Sequence, residues 1–367
     1  MATNIAEVSI TIDGIVFVID AGFVKQRFYN YQAHLSSLIP FNITKVQAKQ
    51  RAGRVGRTQP GVVYRLYSKR VYKKMQKNLK PEILRSNLES TVMTLAAHKV
   101  SNFEDFDYLD RPKSEDIQKA IVALQELGAL DLETNALTPA GQKMARMPLE
   151  PRLAKTLLAS VALKCTEDML TVVSLISANS SGKRVFYNLR STLADAPKTV
   201  LEAGDHIAYI EAYKIVSRYQ NSRSWCYWNS VNFFGLQEVL AIRSQLSYIL
   251  KEFCGASKPG QDKLAVDPEK IYKCILSGFF CNIAHKAGRA AYKRYPNKKK
   301  NESVYVHPGS TLFHAGAPEW VIFEEVVKNK SVAYMRNVIP VKPEWIQELV
   351  PEFFGKFCQA FPPASAK

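Results

Sequence analysis

The spacing of apolar residues changes twice along this chain, and each change predicts a different kind of structure. Val16 to Ile19 is an unbroken apolar run ending in Asp20, the pattern of a strand buried on both faces of a parallel sheet. After the turn signal Gln59-Pro60-Gly61, "GVVYRLYS" (61–68) reads as a second strand. Between them, a segment opened by Thr44 and free of proline until Pro60 predicts a helix frayed by its glycines. From Pro81 the period becomes helical. Ile117, Ile121, Leu124 and Leu127 fall on one face, with Ser114 as N-cap and Glu115 and Asp116 at the positive end of the helix dipole. "ALDLETNALTPAG" then predicts a short hairpin turning at Thr134-Asn135, and helix, helix, hairpin outlines a small winged-helix domain.

Beyond Met147-Pro148 the stripes Leu153/Leu157/Val161, Met169/Val172/Val173/Ile176 and Leu236/Val239/Leu240/Leu246/Leu250 predict a helical block. These are core faces and not a cofactor box. "GASKPGQDKLA" (255–265) reads as a linker. From about 270 to 345, short aromatic and β-branched segments predict a small β-barrel: "CILSGFFCNIA", "SVYVHP", "STLFHAG", "EWVIFEEVV" and "AYMRNVI". Trp320, Phe323 and Phe313 are expected to fill it, and the lysine-rich loop "KRYPNKKKNE" (293–302) joins two of its strands. The fold class is therefore multidomain, α/β then α then β, divided at 1–70, 71–147, 148–255 and 256–367.

Composition adds one feature to this picture. Apolar and charged fractions of 47% and 23% are those of an ordinary folded protein, but 50 Lys and Arg against 33 Asp and Glu leave a net charge of +17. That surplus gathers polyanions, so nucleic acid or an anionic membrane is the first partner to consider, against a merely solvated basic surface. Six cysteines without a C-x-x-C pair suggest a reducing compartment, nuclear or cytoplasmic, and six histidines form no zinc-spaced cluster. "GIVFVIDAGF" is too short to span a bilayer, so no membrane partner is expected.

The candidate chemistry is concentrated in "QAKQRAGRVGR" (47–57), where Arg51, Arg54 and Arg57 recur every third residue beside Gly53 and Gly56. A guanidinium presents a planar fork to phosphate oxygens, and small neighbours allow close approach. On these residues alone two readings stand: arginines that stabilise a γ-phosphate during phosphoryl transfer, or a basic helix face lying on a nucleic-acid backbone.

"TNIAEVSITIDGIVFVIDAGFVKQRFYN" followed by "QAKQRAGRVGR" resembles motifs V and VI of superfamily-2 helicases, specifically of the DEAH-box RNA helicases. The similarity continues through "PEILRSNLESTVMTLAAHKV", "LTPAGQKMARMPLEPRLAKTLL", "DHIAYIEAYK" and "VYVHPGSTLFHAGAPEWVIFEEVV", and so covers nearly the whole chain. It implies the end of a second RecA-like domain, a winged helix, a helical ratchet domain and an oligonucleotide-binding (OB) barrel. The implied activity couples hydrolysis of ATP with magnesium to translocation along single-stranded RNA. Residue by residue, Gln50 would position the attacking water, with Arg54 and Arg57 as arginine fingers. Arg51, placed with the nucleotide-binding set, would hold the segment. Asp13 would bond the ribose, Ser9 would relay between sites or merely satisfy nearby backbone, and Thr3 and Asn4 would face RNA. Val8, Lys49 and Val55 stand where the family usually has Thr, Gln and Ala.

The run 24–37 corresponds to the family's β-hairpin between these motifs, with Lys25 and Arg27 placed to touch RNA strands; an ordinary exposed hairpin is the plain alternative. In the barrel, Lys293, Arg294, His307 and Arg336 interleave with Tyr292 and Tyr305, the mixture by which OB folds hold single strands; His307 reads equally as a structural histidine. G-patch-type cofactor proteins are the protein partners the resemblance implies.

A DEAH-box ATPase also needs G-x-x-x-x-G-K-[ST] and an acidic magnesium motif. Gly182-Lys183 is followed by Arg184 and Gly355-Lys356 by Phe357, without the upstream glycine, and neither motif occurs. The expectation is the C-terminal part of a helicase that is inactive alone, with an RNA-binding or cofactor-docking module as the alternative.

Overall fold

The computed structural model describes residue 7 and residues 13–30, 35–219, 222–254, 266–295, 303–316, 318–329, 332–351, 353 and 355. Thr3, Asn4, Ser9, the 255–265 segment and the lysine run of 296–302 lie outside the described residues, as does the side chain of Arg27. The chain divides into two compact units, one within residues 1–87 plus Tyr108–Lys113 and the other from Leu88 onward.

In the first unit β1 (Phe17–Asp20) pairs in parallel with β4 (Val62–Arg65), and β2 (Phe23–Asn30) pairs antiparallel with β3 (Leu35–Asn42). The hairpin expected over 24–37 is thus present, extended to Phe23 and Asn42. Helix α1 (Lys45–Ala52) starts where Thr44 predicts. Its hydroxyl accepts from the Gln47 amide, while the Gln47 side chain reaches back to the Thr44 N–H in a capping box. A second helix, α2 (Lys69–Lys74), follows β4. Val24, Ile43, Ala48 and Met75 form a small core with Tyr67 and Tyr72 against it. The expectation of a β1 buried on both faces fails: Phe17 is 63% and Ile19 70% exposed, while Asp20 is buried. Two strands with α1 on one side leave the other face of the pair open among the described residues.

The second unit begins with α3 (Glu89–Ala97) and α4 (Ser114–Glu126). The stripe Ile117, Ile121, Leu124 and Leu127 is buried as its spacing predicts. The hairpin expected next is reduced to a single bridge, Leu130 to Leu137. Asp131 takes over the turn by accepting from the Glu133 and Thr134 amides, and Asn135 is left-handed at φ 56°. Helix α5 (Pro139–Ala145) is capped by Thr138, and Gly141 lies so near the Ala129 carbonyl that a Cβ would meet it at 2.0 Å.

The helical block comprises α6 (Pro151–Ala162), α7 (Thr166–Ser180), α8 (Leu189–Thr192), α9 (Lys198–Glu202), α10 (Asp205–Val216), α11 (Arg223–Trp228) and α12 (Phe233–Cys254). Leu175, Ala208, Ala212, Cys226, Leu236 and Val239 belong to its core. Glu89 of α3 is buried against Arg152 of α6 at 3.1 Å, which ties the two groups of helices together.

Helix α13 (Pro268–Phe279) corrects the reading of the first part of "CILSGFFCNIA" as a strand, while its end, Ile283-Ala284, does begin a strand. Asp267 caps the helix, Pro268 opens it, and Ile271, Cys274, Ile275 and Gly278 recur at helical spacing. There is then a closed five-stranded barrel, in the order β5 (Ile283–Lys286), β6 (Ala291–Arg294), β7 (Val304–Val306), β9 (Val332–Pro340) and β8 (Trp320–Asn329). Only the β7–β9 pairing is parallel. "STLFHAG" is a second correction, since it forms the one-turn helix α14 (Leu312–Ala315) and leaves Phe313 46% exposed instead of filling the barrel. Phe323 is buried as expected. Helix α15 (Pro343–Leu349) ends the described fold.

Candidate nucleotide and nucleic-acid site

The arginine segment leaves α1 through Gly53 and turns at Gly56, whose φ of +76° is the left-handed conformation that glycine permits. Behind the helix Arg51 is held from three sides. Its Nε donates to Glu7 at 2.6 Å, Nη1 to Asp20 at 2.8 Å and Nη2 to the Phe23 carbonyl at 3.1 Å. Burial lowers the Arg51 pKa, but the hydrogen bonds and charges of Asp20 and Glu7 outweigh it and the net movement is upward. Asp20 is itself buried and accepts also from the Gly22 amide and the Tyr67 hydroxyl. Burial, with that bond to Asp20, raises the phenol to about 12. Three of the five Arg51 N–H groups are thus held by protein, which fits a residue that holds the segment in place.

Arg54 and Arg57 stand differently. Each turns its Nε toward the carbonyl four residues back, that of Gln50 at 3.4 Å and of Gly53 at 3.3 Å. Gln50 and Arg54 are partly exposed and Arg57 is exposed. Val55 packs where the start of β4 meets the start of β1, since a Cβ on Gly61 would touch both Val55 and the Val16 carbonyl at 2.7 Å. Asp13, exposed in the turn before β1, therefore lies toward the same end of the strand pair as the arginines. Lys25 is exposed on β2, opposite Pro40.

The barrel separates its four expected contacts. On β6 the alternation turns Lys293 outward and Arg294 inward, so Arg294 is 5% exposed and is removed from the set of surface cations. Tyr292 is also buried, its hydroxyl donating to the Pro318 carbonyl at 2.7 Å. His307 and Arg336 do come together, with Arg336 Nη2 3.5 Å from His307 Nε2. The His307 Nδ1 accepts from the Gly309 amide at 3.0 Å, which puts the ring proton on Nε2. Burial, then the positive charges of Arg336 and Arg184, push the ring down to about 4 and keep it neutral at pH 7. Glu325 partners Arg336 at 3.5 Å.

Three residues escaped the sequence reading. Glu7 and Asp20 hold the arginine segment, and the signal for Asp20 was a lone acid closing an apolar strand. Arg184, which reaches the field of His307, gave no signal beyond its charge.

Among the described residues no cluster of acidic, Cys or His side chains is spaced to hold a metal ion, and no helix is long and apolar enough to cross a membrane.

Comparison with known proteins gives three domain matches. Residues 120–149 match the helicase-associated domain (HA2), winged-helix; residues 150–209 match the helicase-associated domain (HA2), ratchet-like; and residues 271–353 match the oligonucleotide/oligosaccharide-binding (OB) fold. The chain is 33% identical over 360 residues to the probable ATP-dependent RNA helicase DHX35 of Pongo abelii, covering 98% of this chain and 49% of that protein. The Homo sapiens DHX35 is 33% identical over 354 residues, covering 96% of the chain and 49% of the relative. The Schizosaccharomyces pombe pre-mRNA-splicing factor ATP-dependent RNA helicase prp22 is 35% identical over 367 residues, covering 98% and 30%. The chain therefore spans about half the length of the DHX35 proteins and under a third of prp22. Matched helicase-associated and OB-fold regions, and similarity along almost the whole chain, place it in the DEAH-box family of RNA helicases.

Proposed function

We propose that this chain supplies the RNA-handling domains of an ATP-dependent RNA helicase, together with the arginines that complete its ATP site. The observation that carries the reading is the way the arginine segment is anchored. Arg51 is fixed by Glu7 and Asp20, and Arg54 and Arg57 follow it on backbone that leaves α1 at Gly53 and turns at Gly56. A clamped base with two arginines beyond it suits groups that must meet charge developing on a γ-phosphate. In this reading the segment belongs to the end of a RecA-like domain. Gln50 orients the attacking water, Arg54 and Arg57 meet the phosphate, and Asp13 bonds the ribose. Magnesium would polarise the transferred phosphoryl group, and its ligands are assigned outside this chain.

RNA contacts are assigned to Thr3, Asn4, Lys25 and Arg27 in the first unit and, separately, to Lys293, His307 and Arg336 in the second. G-patch-type proteins are the proposed regulators, and the proposed compartment is nuclear or cytoplasmic. The second reading, a module that binds RNA without ATPase activity, is favoured by one sequence fact: the 367 residues include no phosphate-binding loop.

Two measurements test this. The purified chain should bind single-stranded RNA with an affinity that falls steeply as salt rises, and should not turn over ATP by itself. A flat salt response overturns the RNA reading. In a longer chain carrying a phosphate-binding loop, Arg54→Ala should abolish turnover and keep RNA affinity within about twofold, a difference under roughly 0.5 kcal/mol. Retained turnover would remove Arg54 from the ATP site.

A further inference from the structure

One surface of the helical block is absorbed by none of these roles. The six-residue helix α11 and the chain just after it are fastened from below by Cys226 and Val231, both buried in the block's core. Pairing reinforces them: Phe186 bridges to Val231, the Tyr187 amide donates to the Ser230 carbonyl at 3.0 Å, and the Asn232 amide to that of Val185 at 2.7 Å. This inward packing aims the alternate side chains outward. Tyr227 is 78% and Trp228 81% exposed, their rings edge to face at 5.4 Å. Phe234 and Tyr187 are each 62% exposed, and the Arg223 guanidinium lies 5.2 Å over the Phe234 ring. Folding requires none of this exposure, and contiguous exposed aromatic surface signals an interaction site.

Charge selects the occupant. The Arg223 guanidinium lies over the Phe234 ring, Arg218 stands just upstream, and the stretch 217–234 contains no acidic residue. Exposed rings held on a rigid support, with the Arg223 guanidinium lying over one of them, match what an unpaired strand needs: faces for its bases and a donor for its phosphates.

We propose that the α11 face is a stacking platform for single-stranded RNA, on which Tyr227 and Trp228 receive bases while Arg223 accompanies the backbone. It lies apart from the His307–Arg336 pair in sequence and chemistry, and rests on the reading that the chain handles RNA.

The test titrates the full chain with single-stranded oligouridine, following both the anisotropy of labelled RNA and tryptophan emission. RNA should quench emission in the unaltered protein, and Trp228→Phe should lose most of the quenching while keeping affinity within about twofold. Tyr227→Ala with Trp228→Ala should weaken binding about tenfold without changing its salt dependence, because stacked rings release no counterions. Unchanged affinity and quenching in the double variant overturn the platform alone and leave the face to a protein partner. Failure of the unaltered chain to bind RNA overturns both this proposal and the reading beneath it. Both side chains are exposed, so the variants should melt with the parent.

Discussion

The strand pair of the first unit and the barrel of the second use similar sequence and reach opposite ends. β1 and β8 are both rich in β-branched and aromatic residues. Yet Phe17 and Ile19 are 63% and 70% exposed, whereas Val321, Ile322 and Phe323 are at most 1% exposed. The barrel closes on itself, so every inward residue finds neighbours. Among the described residues the parallel pair β1–β4 has α1 against one face, whereas a parallel sheet needs a layer on each. Apolar character alone did not decide burial here. The number of available layers did.

The largest effect that would sharpen this contrast is expected at Asp205, at the start of α10 in the second unit. Its Oδ1 accepts from the Thr311 amide and hydroxyl and the Ser310 hydroxyl, and its Oδ2 from the Val338 amide, all between 2.8 and 3.2 Å. Asp205→Ala strands those donors in a dry site and should cost about 3–5 kcal/mol in urea unfolding. A cost below about 1 kcal/mol would mean the second unit is not stitched there.

In the first unit the comparable lesion is Arg51→Leu, which leaves Asp20 and Glu7 without their cation. We expect a loss of about 2 kcal/mol, read as faster amide exchange across α1, and Arg51→Lys should not restore it because a single ammonium cannot span three acceptors. Unchanged exchange would break the account of the arginine segment.

Acid should act mainly on the second unit. His206 is 1% exposed and its Nδ1 has no partner among the described atoms; burial holds its pKa near about 3, below the ordinary value. The unfolded chain therefore takes up this proton first as pH falls. Stability from the neutral ring is complete above about 6.5 and declines by up to about 1.4 kcal/mol per pH unit toward about 3. His206→Phe should flatten that decline, and an unaltered acid profile would exclude this ring as its source. The smallest effect belongs to Ile19→Thr, expected within about 0.5 kcal/mol because the side chain is already exposed. A loss above about 2 kcal/mol would show that this face is covered in solution.

Much of the fold was legible from periodicity. Helix α4 and the core stripes of α6, α7 and α12 were signalled by three- and four-residue spacing, and α1 by Thr44. The failures have local causes. "CILSGFFCNIA" looked β-rich because Cys, Ile and Phe fit either period, and its helical character depends on Asp267-Pro268 just upstream. Arg294 appeared to be a surface cation until the two-residue alternation of β6 placed it beside Tyr292 and not beside Lys293. The arginine segment was legible as chemistry, but its clamp was not. Glu7 and Asp20 meet Arg51 only through the turn of the chain, over separations of 44 and 31 residues.

The Asp205 node also bears on how motion travels. One carboxylate gathers donors from the approach to α14 and from β9, and nearby the Tyr209 hydroxyl donates to Asn337 at 2.8 Å and the Arg190 guanidinium to the Thr311 carbonyl at 3.2 Å. To slide the barrel against the helices, these bonds would have to break together, so helices and barrel should behave as one stiff lever. A push delivered at either end would reach the other with little lost to internal give, and flexing would be left to joints elsewhere in the chain.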